Sequence, residues 1–562
     1  MFIGVLVSNS TFLDPWFQSK YYWIAALLPC IPIFTHINSL LHCILSQVIR
    51  NQTRQPPQVP YYLPIIGNAF EMLFNTERFL VNLQRKFGQV PFQLKLGPKR
   101  LYYVAHGDEI QTLFSRPTEL LGTPHLTPLL KCFGMPKEDI KLFEDDKSGH
   151  SPTPAPGFEN MDPNKRVHYG QRMEFVTFLQ GSNLDMMTNS YANRLSQLLQ
   201  VDATINDDWT VVPDLYDFTR RRLLRASIET LCGEHVFSLC PTFDEDFWAY
   251  DSSIRALIQE APRWWAPKAY ASRDRMHENL KAWQKYASDR FDWEMDDSHV
   301  DFEPLFGSRL MRAMQRRYRA SGFSETGKAA NTLGLLIASN ANEIPIIIWV
   351  LLDIILSPNT TSRVLVEIQD AFDPGSTTPD IATLLSGPLM SSIFMETMRL
   401  RSAGSIARIC KLGGRDETFW NAGRRLLNSQ MEHPLNTFWA ERFLSYPDDP
   451  SSGPVRRSAV ADLGRLETRE RTPADDRRAT VVTKGLSNHF FPFGGGVSMC
   501  PGRTFARHEI MTAVAVVLRV FEIEPVDAVQ AGKTKTSVTS FPFGSLGFDR
   551  KVPVRIRRRK LL

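Results

Sequence analysis

A chain of 562 residues that is 43% hydrophobic and 22% charged has the composition of a globular protein with a large core, long enough for one sizeable catalytic domain plus an anchor. Its net charge of +5, without interleaved basic and aromatic residues, argues against a nucleic-acid partner. Seven cysteines, an odd number with no C-x-x-C pair, exclude a disulfide framework and a zinc pattern and fit a reducing compartment.

The first element is a candidate membrane anchor. Residues 21–45 are mostly apolar, open on Tyr21, Tyr22 and Trp23, and are about long enough to span a bilayer as a helix, although Pro29, Pro32, His36, Asn38 and His42 interrupt them. Arg50 and Arg54 follow and only Lys20 precedes, so residues 1–20 are expected on the lumenal side, with Asn9 as a glycosylation acceptor, and the remainder on the cytosolic side. The alternative is an amphipathic helix of the body. Residues 46–68 read as a basic, proline-rich hinge, stiffened by Pro56, Pro57, Pro60 and Pro64 and closed by a turn at Gly67.

Beyond the hinge, Thr76 to Phe87 predicts a helix and Leu94 to Val104 a strand pair about Gly97-Pro98. Residues 145–165, rich in Pro, Gly, Ser and Asp, are expected to form a loop before a helix that opens with Arg166, His168 and Arg172. Helices dominate from Met173 to Ala320, including 216–231 and 274–291. There the aromatic cluster Phe247, Trp248, Tyr250, Trp264 and Trp265 reads as core packing in preference to a pocket roof or a membrane-touching edge.

Lys328 to Leu356 predicts one long helix, stopped by Ser357-Pro358. Asn340, Asn342, Glu343 and Asp353 make lipid exposure expensive, so a buried central helix is expected. Pro345 removes an N–H and widens this helix one turn back, next to Asn342, whose amide either holds an oxygen-bearing ligand or is satisfied within the protein. Helices follow at 361–372 and 389–400; in the second, Glu396 and Arg399 share one side and are tolerable in a core only when paired. Residues 411–435 are irregular, and 451–480 read as a charged, flexible insertion.

The stretch from Phe490 to Arg503 carries three successive glycines and then Cys500, just before a helix running from Arg503 to Leu518. A helix N-terminus lowers a thiol's pKa, so a thiolate is expected there, against the alternative of a buried core cysteine. A phosphate loop is excluded, because no Lys-Ser/Thr pair closes the motif. The tail turns at Phe541-Pro542-Phe543 and ends in a strand near 551–557.

Phe493-x-x-Gly496-x-x-x-Cys500-x-Gly502 resembles the haem-binding loop of the cytochrome P-450 superfamily, and further matches extend the resemblance from about Pro56 to Arg559. It implies a mainly α fold with small β-sheets (α+β), of triangular P-450 type, with an N-terminal transmembrane helix and a catalytic domain over 69–562. In the family the cysteine is the proximal iron ligand, an aromatic ring shields the sulfur, and glycines let the loop approach the porphyrin. This makes Cys500 the metal ligand and Phe493, Gly496 and Gly502 binders of haem b. Ser498 stands where a basic residue is common, a mark of a sub-branch. The segment Ala338 to Pro345 lacks the usual acid-threonine pair and resembles the Asn-x-x-Pro variant of the branch with prostacyclin synthase and steroid hydroxylases, which makes Asn342 the catalytic candidate. Glu396 and Arg399 match the Glu-x-x-Arg core, completed by Arg442 in a pattern where Ala440 replaces the usual proline. Arg408 matches a position that grips a haem propionate, a role Arg166, His168 and Arg172 are also placed to take.

The function implied is an endoplasmic-reticulum monooxygenase, single-pass and facing the cytosol, that oxidises a lipophilic terpenoid, sterol or polyketide in secondary metabolism. Oxygen and electrons from NADPH would be used through a flavoprotein reductase. Two alternatives stand: a reductase-independent isomerase or dehydratase, and a haem-deficient membrane-bound remnant, if the irregular residues 411–435 impair haem retention.

Overall fold

Two stretches with no polar face, the helices Glu343–Ile355 and Arg503–Val520, must be buried from all sides, and every residue of the first and residues 508–520 of the second are. The computed structural model describes residues 30–48, 56–88, 90–104, 107–115, 120–121, 126–410, 417–422, 437–449, 452–454, 470–484, 486, 490–496, 499–537 and 543–560. They fall into two compact units, residues 1–122 with 405–422, and residues 123–404 with 423–562.

In the smaller unit, helix α1 (Cys30–Val48) exposes Ile33, Phe34, Ile37, Leu41 and Leu45. The part of the expected anchor before Cys30, residues 1–20 and Asn9 lie outside the described residues. The proline-rich hinge is not a free spacer. Val59 N–H donates to Gln93 O at 2.9 Å and Gln93 N–H to Pro57 O at 2.9 Å, so residues 57–59 run beside a strand. His36 of α1 stacks on Tyr62 at 4.0 Å, and Ser39 Oγ donates to Tyr61 O at 3.1 Å, tying helix to hinge. Helix α2 (Thr76–Phe87) precedes the antiparallel pair β1 (Phe92–Leu96) and β2 (Lys99–Val104), which turns at Gly97 with φ +62°. The unit also takes the later part of β3 (Ser402–Cys410) and all of β4 (Glu417–Ala422). β4 pairs parallel with β2 and antiparallel with β3. Thus 417–422, inside the stretch read as irregular, is a strand; 411–416 and 423–436 lie outside the described residues.

The larger unit is mainly helical. Helices α3 (Gly181–Gln200), α4 (Leu215–Cys232), α5 (Glu325–Asn340), α6 (Glu343–Ile355), α7 (Pro358–Gln369), α8 (Pro388–Arg401), α9 (Pro473–Arg478) and α10 (Arg503–Val520) carry the argument below. α10 packs against α3 and α6, and α4 packs against the same two, so four helices share one core. Ser324 and Ser357 start α5 and α7 by accepting from Gly327 N–H at 3.0 Å and Thr360 N–H at 3.3 Å.

The single helix expected over 328–356 is two. α5 closes with Ala341 N–H on Ile337 O at 3.0 Å, and α6 restarts at Glu343. The cause is Pro345, whose missing N–H leaves the carbonyl four residues back without its helical donor. The run from Glu325 to Ile355 is long and apolar enough to cross a membrane, yet 78% of its most apolar window is buried in this unit. A second correction concerns 451–480. Its described part contains α9, begun by a reciprocal cap between Thr472 and Asp475, and at its end enters β6 (Thr480–Val481), which pairs antiparallel with β5 (Leu444–Ser445) upstream of it. Residues 455–469 lie outside the described residues. Near the C-terminus β7 (Phe521–Pro525), β8 (Phe543–Ser545) and β9 (Val554–Arg558) follow α10. β9 pairs with β7 and with the strand Thr210–Val212, and β8 pairs with residues 402–404.

Candidate active site

The glycine loop folds back on itself immediately before α10. Cys500 N–H donates to Phe493 O at 2.9 Å and Met499 N–H to Gly496 O at 3.2 Å. This fold requires Gly494 and Gly496 at φ +74° and +60°, where side chains are strained. Gly502 is different. Its φ is −84°, and a Cβ there would meet Cys500 Sγ and Leu179 Cδ1 only at 3.9 Å, an ordinary contact. Neither backbone nor protein packing demands glycine at 502; what its missing side chain keeps clear is room beside the sulfur. A thiol that solvent still reaches, although protein atoms surround much of it, and that borders such a space is a seat for a flat group carrying a thiophilic metal. Among the described residues no group of three or more His, Cys, Asp or Glu is arranged to hold a metal.

The expected lowering of the thiol pKa is not what the structure gives. Burial pushes Cys500 up, outweighing the Gly502 N–H and the Arg503 guanidinium, both of which act in the lowering direction.

Behind the loop lies a buried ion cluster. Glu396 and Arg442, 0% and 1% exposed, meet with Arg442 Nε donating to Glu396 Oε1 at 2.8 Å. Arg399 donates to both Glu396 oxygens, at 2.7 and 2.9 Å, and Trp439 N–H adds a further bond at 3.2 Å. Next to Arg442 in sequence, Glu441 accepts from Arg363, which also grips Asp476 of α9 through two bonds of 2.7 and 2.6 Å. Sequence reading passed over Arg363 and Asp476. An arginine amid the apolar positions of α7 was the available signal, but its partner 113 residues later is set by tertiary structure.

At the helix break Asn342 is exposed, with its side-chain carbonyl accepting Ser545 N–H of β8 at 3.0 Å. The neighbouring Glu343 and Glu509, 6% and 3% exposed, share a hydrogen bond where α6 meets α10. Tyr191 of α3 and Ser227 of α4 complete this cluster. Burial, then the charge of Glu509, holds Glu343 well above the usual carboxylate range, and Cys500 adds to that shift. Burial pushes Glu509 up to about 7. Glu509 was not among the residues singled out from sequence, although a carboxylate in the middle of so apolar a helix was the clue.

The pair predicts a pH dependence. An unfolded glutamate releases its proton near pH 4.3, roughly, whereas Glu509 keeps it to about 7, so between these values the folded state binds more protons and stability falls as pH rises. Glu509→Gln needs no proton. Its denaturation midpoint relative to the parent is expected to improve from pH 5 to about 7 and to level off above that, and a pH-independent difference between the two proteins contradicts the assignment.

Other sequence candidates are placed elsewhere. Arg166 is buried and spends its guanidinium on Ser148 Oγ at 3.0 Å, Pro152 O at 2.9 Å and Ser151 O at 2.5 Å, so it fastens the preceding loop. His168 is tied to Phe143 O at 2.9 Å, and Arg172 is exposed, donating to His150 O at 3.4 Å. Arg408 pairs in register with Phe419 on the β3–β4 ladder; its side chain, like Ser498 and the tip at 538–542, lies outside the described residues. The aromatic cluster splits. Phe247, Trp248 and Tyr250 are core, but Trp264 and Trp265 are 81% and 61% exposed because they fall on the loop before a helix beginning at Pro267.

Comparison with known proteins bears on this geometry. The family model described as Cytochrome P450 matches residues 158–412 and 475–545. The chain is 30% identical over 554 residues to cytochrome P450 monooxygenase efuG of Hormonema carpetanum, covering 92% of each protein. It is 29% identical over 545 residues to cytochrome P450 monooxygenase fsoE of Humicola fuscoatra, covering 91% of this chain and 89% of the relative. It is also 25% identical over 508 residues to cholesterol 7-alpha-monooxygenase of Cricetulus griseus, covering 85% of this chain and 89% of the relative.

Proposed function

The chain belongs to the cytochrome P450 family and is a haem-dependent monooxygenase, and from that premise we propose that it oxidises a lipophilic terpenoid, sterol or polyketide at the endoplasmic-reticulum membrane. The observation that carries the reading is the room kept beside Cys500 Sγ by Gly502. Cys500 is the residue that would hold the iron of haem b, and Phe493, Gly496 and Gly502 shape the loop around it. The bound group supplies oxygen activation, and a thiolate ligand favours O–O cleavage. The protein's own contribution is a core that keeps water from the Glu343–Glu509 pair where α6 meets α10.

A sterol-type substrate is in keeping with the name of the cholesterol 7-alpha-monooxygenase relative. Electrons are assigned to an NADPH-dependent flavoprotein reductase, since the sequence carries no flavin or nicotinamide motif. The apolar side chains exposed along α1 support its role as anchor, with the hinge bonded to β1 fixing where the anchor leaves the body. Deletion of residues 1–55 is expected to shift the protein from the microsomal pellet to the supernatant while the reduced, carbon-monoxide-bound spectrum is retained; undiminished pelleting removes the anchor.

Reconstitution tests the reaction class. Turnover is expected to require both reductase and NADPH. Conversion of an oxygenated substrate with both omitted would replace this reading by the isomerase.

A further inference from the structure

Helix α1 has three sides. His36 and Ser39 hold one of them to the hinge: the His36 ring stacks on Tyr62, Tyr61 N–H donates to Ser39 Oγ at 3.1 Å, and Cys43, one turn on, is buried with Ser39. Ile33, Phe34, Ile37, Leu41, Ile44 and Leu45 form an exposed apolar side, and exposed Asn38 and His42 form a polar flank between the two. A helix that crosses a bilayer meets lipid on its free sides along its whole length, where an asparagine and a histidine are costly. A helix lying in the interface turns its apolar side inward and its polar flank to water. Residues 21–35, the part of the apolar stretch before the clamp, would as one unbroken helix reach only about 22 Å of the roughly 30 Å of hydrocarbon.

The loop after the clamp suits the same environment. Residues 60–70 carry no charge, and Tyr62, Leu63, Ile65 and Ile66 are exposed, Ile65 by 82%. Its carbonyls are nevertheless met within the protein. Pro60 O accepts from Asn68 Nδ2 at 3.0 Å, Tyr61 O from Ser39 Oγ at 3.1 Å, Leu63 O from Gly67 N–H at 2.8 Å, Pro64 O from Lys95 Nζ at 2.6 Å and Ile66 O from Gly97 N–H at 3.0 Å. Pro60 and Pro64 bring no N–H. A loop in water has no need of internal donors, because water supplies them; in hydrocarbon, irregular backbone is tolerated only where protein satisfies its polar groups. Lys95 also sets its ammonium 5.1 Å from the Tyr61 ring, a lysine and tyrosine pairing that suits a membrane–water boundary.

We infer that α1 lies in the plane of one bilayer leaflet, clamped to Tyr61 and Tyr62, and that the loop 62–66 enters the same leaflet beside it. The chain is thus held by a composite, one-sided lipid-binding surface in place of a free spanning helix. The inference rests on the membrane location proposed for the enzyme and on nothing at the haem site.

The test uses the full-length protein reconstituted into phosphatidylcholine vesicles that carry a hydrophobic aryl diazirine confined to the bilayer. After photolysis, labelled residues are mapped by mass spectrometry. Label is expected on Phe34, Ile37, Leu41 and Leu45 and on Tyr62, Leu63, Ile65 and Ile66, with Ser39 and Cys43 spared. Ile65→Asp places a charge on a side chain that packs against nothing essential to the fold, so its reduced, carbon-monoxide-bound spectrum should match the parent. Its label at 62–66 should fall, and its partitioning into vesicles should drop by about tenfold, the scale of one large aliphatic side chain withdrawn from lipid. Label on every side of α1 with none at 62–66 is the pattern of a spanning helix with the loop outside; it overturns the inference and leaves the membrane location standing. Label confined to the apolar side of α1 assigns the loop to a protein partner or a second copy and overturns the inference equally, as does unchanged partitioning of Ile65→Asp. Protein that fails to float with the vesicles at all removes the membrane location and the inference together.

Discussion

Cys500→Ala is expected to give a folded protein with no thiolate-type Soret band after reduction and exposure to carbon monoxide, and with turnover lost entirely. The reason is that Cys500 is the one cysteine in the loop sequence from Phe490 to Arg503, and the thioether of its neighbour Met499 cannot become a thiolate. Among the other described cysteines, Cys132, Cys232 and Cys240 are buried in the core, and burial pushes the thiols of Cys132 and Cys232 up, Cys132 to about 11. The loop itself should survive the change, because its turns are made by backbone groups, Cys500 N–H to Phe493 O and Met499 N–H to Gly496 O, that alanine retains. Folding and ligation are thus separable at this residue. A near-parental denaturation midpoint together with a missing band is the expected pair of results, and a normal band in the variant would overturn the assignment of the ligand.

The cysteine loop was legible in the sequence because its constraints are local: positive φ at Gly494 and Gly496 and the step into α10 are properties of a dozen consecutive residues. The buried helices were legible for the same reason, since an apolar run without a polar face has one kind of place to go. What could not be read was set by distant partners. The direction of the Asn342 amide depends on a backbone donor 203 residues away, and the Glu343–Glu509 pair on the meeting of two helices. The break between α5 and α6 was half legible: Pro345 announced a distortion, but its extent depends on what Asn342 bonds to. The thiol pKa was misjudged because a helix terminus, a local feature, was weighed without the burial that tertiary packing adds. The part of 451–480 around α9 was misjudged likewise: it was read as flexible, whereas Asp476 closes on Arg363.

Glu396→Ala is expected to prevent accumulation of stable, haem-loaded protein. The substitution takes from Arg442, 1% exposed, and from Arg399 the carboxylate that both of them grip. Breaking a buried pair by removing one partner costs about 3–5 kcal/mol, against a total of about 5–15 kcal/mol for a typical domain. Two cations lose the same carboxylate at once, which raises the cost toward the upper end. Arg442→Ala strands the acid instead, but Arg399 still neutralises it through two bonds, so that variant should be less damaged. Arg399→Ala should be mildest of the three, because its side chain is 15% exposed and water reaches the vacated position, while Arg442 keeps its bond to Glu396. Soluble yield and thermal midpoint should therefore fall in the order Arg399→Ala, Arg442→Ala, Glu396→Ala, with haem content following stability. A Glu396→Ala protein as stable as Arg399→Ala would mean that the carboxylate is not the hub of the cluster, and that the backbone bond from Trp439 and the packing of Phe443 hold the haem-side core without it.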